Sequence, residues 1–398
     1  VSFKTILSVS NVSGSVASEE GRLVCKKIRS ITFVLACATS FYHEDYKAVV
    51  SKMVESAKQR DYGQLKERHV KDHGQLFNRC VLVLGDREKD SIPTDQRLKA
   101  VQEGDKDIDL PAKLFAYGRY LLIASSRPGA NPANLQGLCN DRIQAPWNAD
   151  YHLNINLQMS YWPANVTNLD ECNEPLFSFA NRLIDRGKKT ARQQYGMQGT
   201  VAHQATDLWA TPWMRAKTTY WGSWIHGGGW LAQHFWEHYR FTQDTVFLKE
   251  QAYPAIKQYA MFYNDWLAYD KGTGRYVSYP ETSPENRYLD KEGQKTAVSK
   301  GASMGYQIIN EVFDNSIQAS KLLGKDDTLI DDIKHKKKGL DNGISIGPDG
   351  RLLEWPEPYD EHEKGHAHMA HLYALYPGSS ITKQTPQAFE AAKKTIQY

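Results

Sequence analysis

The chain has 398 residues, of which 49 are Lys or Arg and 46 are Asp or Glu, for a formal net charge of +3. That balance gives no footing to a nucleic-acid or anionic-membrane binder working by bulk electrostatics, and 41% hydrophobic against 24% charged residues excludes disorder as the general state. The longest apolar run, Ile31 to Phe41, falls short of the roughly 18 residues of a transmembrane helix and is broken by Thr and Ser.

The first 45 residues read as strands. Phe3 to Val9, Gly21 to Cys25 and Ile31 to Cys37 are short, β-branched and separated by Ser, Gly and Asn. Three strands seldom make a stable sheet alone, so they suit part of a sandwich. From His43 the period changes. Tyr46 to Ser56 and Gly63 to Phe77 have helical spacing, Arg79 to Gly85 reads as a short apolar strand, and the charged stretch Asp86 to Asp107 reads as a linker or surface segment. Beyond Leu110 helices dominate. Leu114 to Ser125 suits a buried helix. Ile256, Ala260, Tyr263 and Leu267 fall on one helical face, as do Ile309, Phe313 and Ile317, and Gly324 is a stop signal. The run Lys334-His-Lys-Lys-Lys before Gly339 reads as a solvated helix end. Many helices joined by loops rich in Trp, Asn, His and Pro suggest a helical toroid or bundle with a site at one end.

Ten Trp, 22 Tyr and 13 Phe suit a large aromatic core and equally the faces of sugar rings. The five Cys (25, 37, 80, 139 and 172) are widely spaced without a CxxC pair, so neither a zinc ribbon nor a disulfide scaffold is indicated. Asn11-Val-Ser and Asn165-Val-Thr match the glycosylation sequon, and no signal peptide is legible after Val1.

Four segments could carry chemistry. In Asp150 to Glu171, His152, Asn154 and Asn156 are spaced by two, so an extended chain would turn all three to one side. Amides can orient a water or sugar hydroxyls but have no useful basicity, so a carboxylate must supply it. The alternative is an Asn-rich loop that satisfies its own backbone. In Pro280-Glu-Thr-Ser-Pro-Glu-Asn, two prolines fix a loop carrying Glu281 and Glu285. A carboxylic acid in an aromatic-lined pocket can protonate a leaving oxygen, and a solvent-facing Ser-Pro turn is the plain alternative. Gly365 to Leu372 holds three His in six residues. The spacing is neither HExxH nor a zinc-finger pattern, so pocket lining by imidazoles competes with a metal site. Trp221 to His238 contains Gly227-Gly-Gly without a following GK[ST], which excludes a P-loop and suits close approach of backbone or ligand before a helix.

Taken in order, the segments resemble glycoside hydrolase family 95, the inverting α-L-fucosidase family. The matching stretches are IPTDQRL (92–98), GRYLLIASSRPGANPANLQG (118–137), APWNADYHLNINLQMSYWPANVTNLDE (145–171), HQATDLWATP (203–212) and GGGWLAQHFWEHYRFTQD (227–244), then SPENRY (283–288), LLEW (352–355), GHAHMAHLYALYPG (365–378) and TPQAFEAAKKT (385–395). The likeness runs from about residue 30 to the C-terminus.

The resemblance implies a mainly α fold: residues 1–42 as a remnant of an N-terminal β-sandwich, 43–109 as a helical linker region, and 110–398 as an incomplete (α/α)6 toroid bearing the active site. It implies Glu285 as the general acid, Asn154 and Asn156 as the amides that hold the attacking water, and His152, Trp224, His366 and His368 as sugar contacts. An Asp that polarises the water through the amides belongs to a later motif, past Tyr398. No metal or other cofactor is implied. The implied partner is a fucosylated oligosaccharide substrate, with neither nucleic acid nor membrane, and that substrate class implies a secreted or extracytoplasmic location. The sequence leaves the oligomeric state open. Several positions depart from the family pattern. Ala367 and Ala370 replace Arg and Ser, Gly305 and Pro358 each replace Asp, and Gln204 and Ala205 stand where His and Asn are common.

These readings give removal of terminal α-L-fucose, α-1,2-linked, with inversion. An α-L-galactosidase is a close variant, because L-galactose adds only a 6-hydroxyl; retention of His152 favours fucose. A glycan-binding relic without turnover, and a metal-dependent hydrolase built on the histidines, are the competing readings.

Overall fold

The computed structural model describes residues 1–10, 13–85, 88–325 and 327–398, so the sequon at Asn11 lies outside the described residues. The chain falls into two compact units, Val1–Val81 and Leu82–Tyr398.

In the first unit the strands Phe3–Ser10 and Thr32–Thr39 pair antiparallel with Leu7 opposite Leu35, and Ser15–Glu19 pairs with Arg22–Lys26. The turn of the second pair is Glu20-Gly21, both with positive φ (49° and 75°), the geometry whose twist matches a two-residue hairpin. The helix Tyr46–Lys58 packs on the first pair, burying Val50 and Val54, which lie four residues apart on one face. Lys4 Nζ donates to Ser51 Oγ across that contact at 3.0 Å. The helix Tyr62–Phe77 starts in a capping box. The Asp61 carboxylate accepts from Gln64 N (2.8 Å), and the Gln64 side chain accepts from Asp61 N (3.1 Å).

Two expectations change here. Residues 79–85 form no strand: Val81 and Val83 stand exposed, and no strand among the described residues takes up their ladder. The charged stretch 86–107 contains a helix, Thr94–Gln102, whose Arg97 is buried and bonds Asp107 through both Nε and Nη2 at 2.7 Å each. Charge in sequence did not mean exposure, because the planar guanidinium fork and its carboxylate satisfy each other.

In the second unit the helices Gly227–Thr242, Tyr253–Trp266 and Ser303–Leu322 pack on one another. Ile256, Ala260 and Tyr263 are fully buried and Leu267 nearly so, as their spacing predicts, and Ile309 and Phe313 meet them from the third helix. The glycine triplet is there for contact. A Cβ on Gly227 would lie 2.5 Å from the His203 carbonyl oxygen, and one on Gly229 would lie 2.1 Å from the Tyr263 hydroxyl.

Gly199 is tighter still. It has φ +71°, and a Cβ there would lie 2.1 Å from the Gln258 carbonyl oxygen and 2.6 Å from Phe262 N. Both obstacles are backbone of the central helix Tyr253–Trp266 and cannot swing aside. Gly199→Ala is therefore expected to destabilise by about 2–4 kcal/mol, from left-handed strain plus overpacking. Chemical denaturation of the variant against wild type measures it, and a loss within error of zero would show that the helix yields.

The second sequon is built into structure. Asn165 lies in the short helix Pro163–Val166, its Oδ1 accepts from Asn173 Nδ2 (2.8 Å), and Thr167 is buried. Among the described residues no helix is long and apolar enough to cross a membrane.

Candidate active site

Two short antiparallel ladders frame the site. Tyr151–His152 pairs with Ala205–Thr206, setting His152 opposite Ala205, and Glu281–Thr282 pairs with Val298–Ser299. After His152 the chain turns rather than running on. Gln158 Nε2 donates to the Leu153 carbonyl (2.6 Å), and the helix Asn156–Tyr161 begins. The two-residue alternation expected for His152, Asn154 and Asn156 is broken by that turn, yet His152 and Asn156 still line one cavity and Asn154 reaches Glu285 beside it.

Asn154 is buried. Its Nδ2 donates to Glu285 Oε1 at 3.0 Å. Gln204 Nε2 donates to the same oxygen at 2.8 Å and to Asn154 Oδ1 at 3.3 Å. Glu285 is the partly exposed residue of a loop whose neighbours Ser283, Pro284 and Asn286 are buried. His152 and Asn156 join Glu285 and Gln204 around a cavity of about 690 Å³, lined also by Trp147, Tyr220 and Trp221. Asp150 and Arg215 line it too, paired at 3.3 Å. Burial pushes the His152 imidazole below its ordinary range against the pull of Glu285 and Asp150, so the ring meets a ligand as a neutral donor-acceptor. Burial also raises the Asp150 carboxyl, with Arg215 opposing.

His368 also lines this cavity, and its Nδ1 accepts from the Glu285 backbone N–H at 3.3 Å. His366 lies one step behind, with Nδ1 accepting from His368 N at 3.0 Å, and lines a neighbouring cavity of about 550 Å³ that His368 shares. His371 is turned to Glu354, 3.7 Å away. The three rings thus have three different neighbours, with His371 Nδ1 making no hydrogen bond, and among the described residues no group of three or more metal-ligating side chains is gathered.

Trp224 needs correction as a sugar contact. It is fully buried in the core with its ring edge-on to His226, and the indoles and phenol that reach the cavity belong to Trp147, Trp221 and Tyr220. The short helix Thr219–Gly222 carries Tyr220 and Trp221 to the wall, and the chain has turned inward by residue 224. Glu281 also parts from Glu285. It is buried, its Oε2 meeting His226 Nε2 (2.7 Å) and Ser278 Oγ (2.5 Å). That pair accounts for Gly305, since a Cβ there would lie 2.6 Å from Glu281 Oε2 and 2.9 Å from His226 Nε2. The carboxylate of Glu281 fills the space that an Asp at 305 would need.

The sequence alone treated Gln204 as a departure from a pattern and gave no role to Trp147, Tyr220, Trp221, Asp150 or Arg215. The aromatic composition was the available signal, but it does not say which rings face out.

The model for the Glycosyl hydrolase family 95 catalytic domain matches residues 61–398. The chain is 38% identical over 413 aligned positions to "Alpha-L-fucosidase 2" of Arabidopsis thaliana, covering 99% of this chain and 48% of that protein. It is 35% identical to "Probable alpha-fucosidase A" of Aspergillus niger, covering 90% of this chain and 45% of that protein. The chain thus spans about half the length of these relatives. Among solved structures, "Putative kojibiose phosphorylase from human microbiome" superposes with a TM-score of 0.61 at 11% identity, over 89% of this chain and 46% of that one, which is a likeness of fold. With the family model spanning most of the chain and relatives matching nearly all of it, the chain belongs to glycoside hydrolase family 95.

Proposed function

We propose that this chain carries the acid side of an exo-acting, inverting α-L-fucosidase site. The substrate would be a terminal α-1,2-linked fucosyl group on an extracytoplasmic glycan, and the helices of 110–398 would belong to an (α/α)6 toroid following a sandwich remnant (1–42) and a linker (43–109). One observation carries the reading: Glu285 opens into an aromatic-walled cavity with two amide N–H groups on Oε1. With Oε1 taken by two donors, Oε2 is the oxygen left to serve the substrate. From there Glu285 protonates the glycosidic oxygen as the bond breaks.

Inversion needs a water on the opposite face of the sugar, with acid and base about 6.5–9.5 Å apart. Asn156, facing the cavity, orients that water, and Asn154 ties the water side to the acid through its contact with Glu285. The amides are not basic, so a carboxylate must act through them. His152 and His368 offer ring nitrogens to sugar hydroxyls, and Trp221 and Tyr220 supply apolar faces for the ring and its C6 methyl.

The test is release of free L-fucose from 2′-fucosyllactose by the complete gene product, with proton NMR following the anomer. β-L-Fucose appearing first, then mutarotating, is the expected result. α-L-Fucose appearing first would overturn inversion. Fucose binding without release would replace the hydrolase reading with a glycan-binding one.

A further inference from the structure

The loop that carries Glu285 is gripped from behind by a second carboxyl group. Glu354, in the LLEW stretch, is 7% exposed and sends Oε1 to Ser283 Oγ (2.6 Å) and Oε2 to Asn286 Nδ2 (2.9 Å). Ser283 and Asn286 lie two residues before Glu285 and one after it, and both are buried. The Glu354 backbone is fixed in turn. Its carbonyl accepts from Ser303 N (3.0 Å), and Ser303 Oγ donates to the Leu353 carbonyl (2.6 Å), at the start of the helix Ser303–Leu322. A chain of bonds therefore runs from a core helix through Glu354 to both flanks of the residue that faces the cavity.

We propose that Glu354 is a positioning residue for Glu285, clamping Ser283 and Asn286 so that the acid's carboxyl is presented to the glycosidic oxygen in one orientation. The proposal rests on the reading of Glu285 as the acid. Burying a carboxyl group is costly unless its lone pairs are used. Here they are spent on the two loop residues that bracket the acid, and Glu354 lines the neighbouring cavity of about 550 Å³ rather than the 690 Å³ one that Glu285 faces. Burial raises its pKa to about 7, with Ser283 and Asn286 opposing and Glu361 adding to the rise. His371, the imidazole nearest Oε2, is itself held neutral by burial, with Arg351 adding to that effect.

Glu354→Leu removes both bonds. Glu354→Gln keeps them, with its carbonyl accepting from Asn286 and its amide donating to the Ser283 hydroxyl. For the leucine variant the expected result is a fall in kcat of about 10–100-fold with KM little changed, since small misplacements of a reacting group cost that much. The glutamine variant is expected to recover most of kcat. An unchanged kcat in the leucine variant, or a loss the glutamine variant does not recover, overturns the proposal. Should the leucine variant fail to fold, Ser283→Ala removes one bond alone, and an unchanged kcat there overturns it equally. Hydrogen exchange separates this from failure of the fucosidase reading. If wild type shows no turnover, faster exchange confined to residues 279–289 in the leucine variant still supports the clamp, and unchanged exchange there refutes it.

Discussion

Replacing Glu285 by Gln is expected to lower kcat for fucoside hydrolysis by about 10²–10⁴-fold, the usual worth of a general acid, while leaving sugar binding and thermal unfolding close to wild type. The geometry makes this substitution unusually clean. Glu285 Oε1 accepts from Asn154 Nδ2 and Gln204 Nε2, and a glutamine carbonyl can accept both. The glutamine NH2 then stands where Oε2 stood, able to donate a hydrogen bond to a leaving oxygen but not a proton. On the proposed reading the variant therefore keeps the shape and hydrogen bonding of the side chain and removes only its capacity to transfer a proton. Initial rates on 2′-fucosyllactose, with calorimetric titration of L-fucose as the control, measure both halves. Activity within a few-fold of wild type would remove Glu285 from the role. Loss of binding together with loss of activity would mean that the amide cluster had collapsed, and Gln204→Leu would then have to reproduce that loss.

What was legible in the sequence was what local pattern or motif determines. The face Ile256, Ala260, Tyr263 and Leu267 was visible because helical burial repeats every three to four residues. The strands Phe3–Ser10, Arg22–Lys26 and Thr32–Thr39 were visible because β-branched runs ended at turn residues. Glu285, His152 and Asn156 were found through motifs, and the structure brings them to one cavity. What escaped depended on partners distant in sequence. Trp221 and Trp224 are three residues apart with the same chemistry, and only packing decides that one faces out and the other enters the core. The Asn154–Glu285 and Gln204–Glu285 bonds span 131 and 81 residues, and no local rule could supply them. Arg97 looked like a surface charge until Asp107, ten residues on, closed around it.

The pH dependence of stability gives the second large effect, and it needs a variant to be seen. Glu311, on the helix Ser303–Leu322, lies beside a polar cavity of about 300 Å³ and accepts a hydrogen bond from the Tyr373 hydroxyl. Burial pushes its carboxyl up to about 7, with Glu237 and Asp314 adding to the rise and Tyr373 and Arg240 opposing. Between the unfolded value of about 4.5 and the folded value the native state holds the extra proton, so this group's stabilisation is full at low pH and is lost as pH rises through 7. Buried His234 and His371 act in the other direction. Burial lowers both to about 4, so the unfolded chain takes up their protons first and stability is lost as pH falls below about 6.5. The two slopes oppose each other over the same range, and the wild-type curve alone hides both. Glu311→Gln keeps an acceptor for Tyr373 and cannot ionise. The variant is expected to match wild type near pH 4.5 and to become more stable by about 3 kcal/mol at pH 8, the worth of the lost ionisation penalty. Urea unfolding of both proteins from pH 4.5 to 8.5 measures the difference. A difference that stays constant with pH would show that Glu311 titrates at its ordinary value, with water reaching it through the cavity.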